Sequence, residues 1–126
     1  YGGYTAKLGL YGCVTGRFEV PPRCFMPAPH VDSAVVRIER RVPAALAGLS
    51  GDELERCRES VARVIDAAFA QRRKTIRNSM GSNGFEKAAL DAAFTVSGIA
   101  PSVRAEALRV EDFISLAQAL EREGAL

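Results

Sequence analysis

Ser50-Gly51-Asp52-Glu53-Leu54-Glu55-Arg56-Cys57-Arg58-Glu59-Ser60-Val61-Ala62-Arg63-Val64-Ile65-Asp66-Ala67-Ala68 places Leu54, Cys57, Val61, Val64, Ile65 and Ala68 at helical spacing. Apolar residues recurring three and four apart form one buried stripe on a helix. Ser50 and Glu53 have the spacing of a capping box, in which each side chain satisfies a free amide at the helix start. Asp52–Arg56 and Glu59–Arg63 are predicted i,i+4 ion pairs on the solvent side. This helix sets the character of everything after it.

Downstream, a second helix is predicted over Arg73 to Met80, stopping at Gly81-Ser82. A third is predicted from about Phe85 to Val96. Phe85, Ala88, Ala89, Ala92 and Val96 share one face and Leu90 and Phe94 lie on its other side, so it is expected to be buried twice over. Gly98 suits the left-handed residue just beyond its end. Pro101 to Leu108 reads as a turn with one short helical piece, held by local hydrogen bonds of Arg104 and Glu106. The last helix, Glu111 to Glu121, is predicted to turn Phe113, Leu116, Ala117 and Leu120 inward.

Upstream, the pattern changes near residue 42. Val42 to Leu49, with Pro43 and three alanines, reads as a linker. Tyr4 to Gly12 is the expected end of a helix. Val14 to Val20 alternates, with Val14, Phe18 and Val20 opposite Thr15, Arg17 and Glu19, the pattern of a half-buried strand. Pro21-Pro22 ends it. Val31 to Arg40 reads as a second strand, and Phe25-Met26-Pro27-Ala28-Pro29-His30 between them is a loop held extended by its prolines. Two strands alone are marginal in water, so the pair is expected to belong to a larger sheet. The fold class is therefore mixed and mainly α, a strand pair followed by a small helical domain.

Composition sets outer limits. The chain has 126 residues, 48% hydrophobic and 25% charged, which is the profile of a folded domain rather than of a disordered one. No apolar stretch approaches the roughly 20 residues of a membrane span. Tyr1-Gly2-Gly3-Tyr4 is neither a leader nor a Met start, so a removed upstream segment is expected. Cys13, Cys24 and Cys57 form no C-x-x-C pair, and His30 is the single histidine, so no metal site is expected. Reduced thiols of a cytoplasmic protein fit this usage.

The net charge is only +2, but 17 basic residues include a cluster at Arg72, Arg73, Lys74 and Arg77. No acidic residue occurs from Ala67 to Phe85. On a helix Arg73, Lys74 and Arg77 would share a narrow arc beside the apolar edge of Ile76 and Met80, with Arg72 pointing elsewhere. Such a face either contacts a phosphate backbone or is simply solvated. Phe25, rigidly held by prolines at a strand end, either stacks on an exposed base or packs into the core. Asp32, Ser33, Arg104 and Glu106 suit structural roles. No nucleophile–base pair, paired carboxylates or Gly-rich phosphate loop is present in the sequence.

These segments together resemble a known family. Phe25-Met26-Pro27-Ala28-Pro29-His30-Val31-Asp32-Ser33-Ala34-Val35-Val36 is similar to the F-x-P-x-P-x-V-x-S-x-V segment of the ribosomal RNA adenine dimethylases. Phe69-Ala70-Gln71-Arg72-Arg73-Lys74-Thr75-Ile76-Arg77-Asn78 resembles their A-F-x-Q-R-R-K-T-L-R-N run. Arg104-Ala105-Glu106-Ala107-Leu108 and Val110-Glu111-Asp112-Phe113 resemble their R-A-E-x-L and the helix after it. The nearest branch is that of bacterial enzymes dimethylating two adjacent adenines near the 3′ end of small-subunit ribosomal RNA.

The resemblance implies that residues 1–41 are the end of a Rossmann-like methyltransferase domain, its terminal strand pair, and that residues 42–126 are a helical RNA-contacting domain. It implies Phe25 in the target-base pocket, and Arg72, Arg73, Lys74 and Arg77 as RNA-binding residues. It implies small-subunit ribosomal RNA, within the immature small subunit, as partner and S-adenosylmethionine as cofactor. The family's donor loop and its N-[IL]-P-[YF] motif are absent from this sequence, so the chain alone is expected to be inactive. Arg109 stands where the family often has a Ser or Thr cap, which implies a weak start for the last helix. The competing expectation is a non-catalytic helical nucleic-acid-binding module, with no need of an unfinished sheet.

Overall fold

The computed structural model describes residues 2–20 and 33–126. In chain order these form α1 (Gly3–Leu8), β1 (Gly12–Val20), β2 (Ser33–Arg40), a 3-10 turn (Ala44–Leu46), α2 (Gly51–Phe69), α3 (Ile76–Gly81), α4 (Lys87–Ser97), a second 3-10 turn (Ala105–Ala107) and α5 (Val110–Arg122). Cys24, Phe25, His30 and Asp32 lie outside the described residues.

The long helix α2 is the centre of the core. Val61, Val64, Ile65 and Ala68 are buried as the spacing predicts, joined by Ala67, while Leu54 and Cys57 are partly buried at its start. Its polar details differ from expectation. Ser50 is the N-cap residue but its hydroxyl makes no cap hydrogen bond. Gly51 enters the helix at φ +59°, a conformation that glycine takes readily. Neither predicted i,i+4 pair forms. Arg58 instead pairs with Glu55 at 3.0 Å, and the Arg63 guanidinium lies 5.7 Å from the centre of the Phe85 ring. An exposed i,i+4 pair contributes only about 0.3–0.5 kcal/mol, too little to hold an arginine that can reach an aromatic face.

The core spans both sides of residue 42. Ala6 and Leu10 are buried with the α2 residues, and Lys7 pairs with Asp66 of α2 at 2.8 Å. The expected linker is in fact packed, because Pro43 is buried and Leu46 is only 1% exposed. Apolar side chains within a short tight turn reach the core where a loose linker would not.

β1 and β2 form a two-stranded antiparallel sheet, running from Gly12 opposite Arg40 to Val20 opposite Ser33. The register slips between Val14 and Gly16, so one alternating pattern does not run the length of β1. Arg17 lies opposite Val36 in the register and Phe18 is its neighbour along β1, so Phe18 and Val36 stand on opposite faces. Phe18 is 63% exposed and Ile38, on the Val36 face, is 49% exposed.

α3 and α4 depart most from their periodicity. The first begins at Ile76 rather than Arg73, so Arg72, Arg73 and Lys74 belong to a turn and not to a helical face. In α4 the buried face is Leu90, Ala93 and Phe94; Ala88 is exposed and Val96 is 60% exposed. The predicted apolar stripe is out of phase: α4 lies against α3 and α5 and buries Leu90, Ala93 and Phe94, while Ala89 and Ala92 are only partly covered. Gly98 takes the left-handed conformation at φ +73°, as expected, and α5 buries Phe113, Leu116, Ala117 and Leu120. The start of α5 is firmer than Arg109 implies, since the Asp112 carboxylate accepts the Arg109 N–H at 2.9 Å. The turn before it is closed by backbone bonds from Ala107 to Arg104 and from Leu108 to Ala105, not by the side chains of Arg104 and Glu106.

Candidate functional site

The basic segment is built from its two ends. At the first, the Ser79 hydroxyl, fully buried, donates to the Ala67 carbonyl at 2.7 Å and accepts the Gln71 N–H at 3.0 Å. One side chain thus satisfies a free carbonyl near the end of α2 and a free amide beyond it. At the second, Thr75 caps α3, its hydroxyl accepting the Asn78 N–H at 3.3 Å. Ile76 donates its N–H to the Val103 carbonyl at 2.7 Å, and Ile76 and Met80 are fully buried, the apolar edge that the spacing predicts.

Between these anchors Lys74 donates its N–H to the Gln71 carbonyl at 3.0 Å, closing a turn over Arg72 and Arg73. Arg72, Arg73 and Lys74 are all exposed. Among the described residues none of the three makes an ion pair or a side-chain hydrogen bond. Arg72 also borders a cavity of about 330 Å³ lined by Gly2, Gly3, Phe69 and Glu106. Three cations on a clamped turn present charge without first having to order the backbone.

Arg77 stands apart. Its Nε and Nη2 donate to the two carboxylate oxygens of Asp91 at 2.6 and 3.1 Å. The segment is free of acid along the sequence, but not in space. Those hydrogen bonds hold the Asp91 carboxyl below its ordinary range, with the charges of Arg77 and Lys87 helping and partial desolvation opposing. The site therefore presents the three turn cations together and ties the fourth to a partner. Ser79 and Asp91, which shape it, carried no signal in the sequence: one looks like any helical serine, the other lies 14 residues beyond Arg77.

Burial pushes the Cys57 thiol pKa up and the carboxylates of Glu121 and Glu53 push it further, which disfavours the thiolate. Among the described residues no His, Cys, Asp or Glu cluster is placed to hold a metal, and no helix is long and apolar enough to cross a membrane. The described residues do not fit the methyl donor either. Every glycine at positive φ (Gly51, Gly84, Gly98 and Gly124) lies at or beside a helix end, and none follows a strand. A strand, Gly-rich turn and helix cradle would require that order.

The ribosomal RNA adenine dimethylase family matches residues 17–122 of the chain. The chain is 40% identical over 126 residues to ribosomal RNA small subunit methyltransferase A of Cutibacterium acnes, covering 100% of this chain and 41% of that protein. It is 45% identical over 117 residues to the same-named protein of Xanthomonas axonopodis pv. citri, covering 93% of this chain and 40% of that one. Its backbone is similar to a dimethyladenosine transferase from Plasmodium falciparum, with a TM-score of 0.64 at 17% identity, over 99% of this chain and 50% of that chain. It is similar also to the 23S rRNA methyltransferase ErmE, with a TM-score of 0.59 at 24% identity, over 96% of this chain and 46% of that chain. At these identities the two structures speak for the fold alone. The chain spans about two fifths of the length of these curated relatives. With one family matching from within β1 to the last residue of α5, and relatives at these identities, the chain belongs to the ribosomal RNA adenine dimethylases.

Proposed function

We propose that this chain is the RNA-holding part of an S-adenosylmethionine-dependent adenine N6,N6-dimethyltransferase. The target is two adjacent adenines near the 3′ end of small-subunit ribosomal RNA, within the immature subunit in the cytoplasm. The observation that carries the reading is the clamped turn presenting Arg72, Arg73 and Lys74 exposed and unpaired. Cations of this kind neutralise phosphates and contribute sequence-independent affinity, while the chemistry is supplied elsewhere. Arg77 belongs to the same basic run but serves mainly to brace α3 on α4 through Asp91.

Residues 1–41 are read as the end of a Rossmann-like methyltransferase domain and residues 42–126 as its helical RNA-contacting domain. Exposed apolar residues on both faces of the strand pair support this, because a sheet covered on both sides needs exactly that patterning and a free-standing binding module does not. Phe25 is assigned to the target-base pocket on its resemblance to the family's loop aromatic. The chain alone is expected to bind RNA without transferring methyl groups. Fluorescence anisotropy with a labelled hairpin of the small-subunit 3′ end should show saturable binding, and calorimetric titration with S-adenosylmethionine should show no saturable heat. Failure to bind the hairpin at low salt would refute the RNA-holding role; a micromolar cofactor site would refute the division of labour.

A further inference from the structure

A second basic groove, about 650 Å³ in volume, lies where the strand pair meets α2, lined by Tyr11, Arg40, Arg41, Val42, Leu54, Glu55 and Arg58. Its construction is specific. Arg58 donates its Nε to the Leu10 carbonyl at 3.0 Å and its Nη1 to Glu55 at 3.0 Å. Held by both, its guanidinium lies 4.5 Å from the centre of the Tyr11 ring and backs one face of it. The ring nonetheless remains 46% exposed.

Tyr11 and Arg41 are locked together by the Arg41 N–H, which donates to the Tyr11 carbonyl at 2.9 Å. The junction depends on Gly12, where a Cβ would sit 2.5 Å from the Glu39 carbonyl oxygen and 2.9 Å from Ile38. Among the described residues Arg40 and Arg41 have no acidic partner, and both are exposed. Glu55 is the acid lining the groove, and Arg58 already neutralises it. Two uncompensated cations therefore flank a rigid, guanidinium-backed aromatic ring.

We propose that this groove takes one unpaired RNA nucleotide, its base stacked on the Tyr11 face opposite Arg58 and its flanking phosphates on Arg40 and Arg41. An acidic peptide would use the cations but leave the ring without a role, whereas a single-stranded nucleotide uses both. The inference rests on the RNA-holding reading of the chain and adds a base-contacting subsite that the exposed turn at Arg72–Lys74 does not supply.

The test compares Tyr11→Leu, Tyr11→Phe, Arg40→Ala/Arg41→Ala and Arg72→Ala/Arg73→Ala/Lys74→Ala in the full chain. The probe is a labelled small-subunit 3′ hairpin with a single-stranded flank, titrated at several salt concentrations. Tyr11→Leu should weaken binding about tenfold at unchanged salt slope, and Tyr11→Phe should restore it, since stacking needs the ring and not the hydroxyl. The Arg40/Arg41 variant should lower the slope by about 1.4 to 1.8 units. Removing the flank from the probe should abolish the Tyr11 effect. If Tyr11→Leu and the Arg40/Arg41 variant both bind as wild type while the turn variant is weakened, the groove is refuted and the turn stands. If the Arg40/Arg41 variant weakens binding but Tyr11→Leu does not, the base-stacking assignment is overturned. The Arg40/Arg41 variant touches only exposed side chains, so a misfolded Tyr11→Leu would not shield the proposal.

Discussion

Arg77 and Asp91 are joined across 14 residues by two parallel hydrogen bonds, Nε to Oδ1 at 2.6 Å and Nη2 to Oδ2 at 3.1 Å. A fork-to-carboxylate pair of this kind fixes both side chains and cancels their charges. Arg77→Ala should therefore barely change the salt dependence of RNA binding. Asp91→Asn should release a cation beside the basic turn and steepen the slope by up to about 0.9 units. Anisotropy titrations over a salt series check this; a large loss of slope in Arg77→Ala would return Arg77 to the RNA-contacting set.

The same pair predicts a pH signature. The Asp91 carboxyl is depressed chiefly by its hydrogen bonds from Arg77. A depressed acid contributes stability that is fully present above its unfolded value, about 3.9, and is lost as pH falls through its lower folded value. Carboxyl carbon NMR should place the Asp91 midpoint below that of an ordinary aspartate. In Arg77→Ala it should move back up, and an unchanged midpoint would show that the pair does not form in solution.

Ser79→Ala should destabilise the fold by about 1–3 kcal/mol, the cost of leaving buried polar groups unsatisfied. The lost oxygen is the Gln71 amide's acceptor and the Ala67 carbonyl's donor. Because those bonds clamp the turn, RNA affinity at a temperature where the variant is folded should fall as well. Urea unfolding gives the first quantity, and an unaltered midpoint would contradict the clamp.

The burial pattern of α4 is tested by a pair of substitutions. Leu90→Ala, at a fully buried position, should cost about 2–5 kcal/mol. Val96→Ala, at a position 60% exposed, should stay within about 0.5 kcal/mol. Comparable losses in the two variants would restore the two-sided burial that the apolar spacing alone suggests.

Much of this arrangement is legible from residue order. α2 and α5 follow their apolar stripes, and Gly98 ends α4 where a left-handed residue is needed. β1 and β2 lie where the alternating and β-branched residues predict strands. What periodicity misses is set by tertiary contact. Arg73 and Lys74 look helical in sequence, yet the bonds of Ser79 and the cap of Thr75 hold them in a turn. Asp91 neutralises Arg77 from a different helix, and α4 buries Leu90, Ala93 and Phe94 rather than Ala88 and Val96. The Tyr11 groove combines residues from α2 with the start of β1 and the end of β2, so no local pattern announces it.

The central claim is that Arg72, Arg73 and Lys74 hold RNA through its phosphates. Its most direct test is the salt dependence of small-subunit 3′ hairpin binding by the chain and by Arg72→Ala/Arg73→Ala/Lys74→Ala, with folding confirmed by circular dichroism. Each phosphate contact contributes about 0.7 to 0.9 to the logarithmic slope, so the triple variant should lose about 2.1 to 2.7 units and bind far more weakly at low salt. A folded triple variant with the wild-type slope would contradict the account.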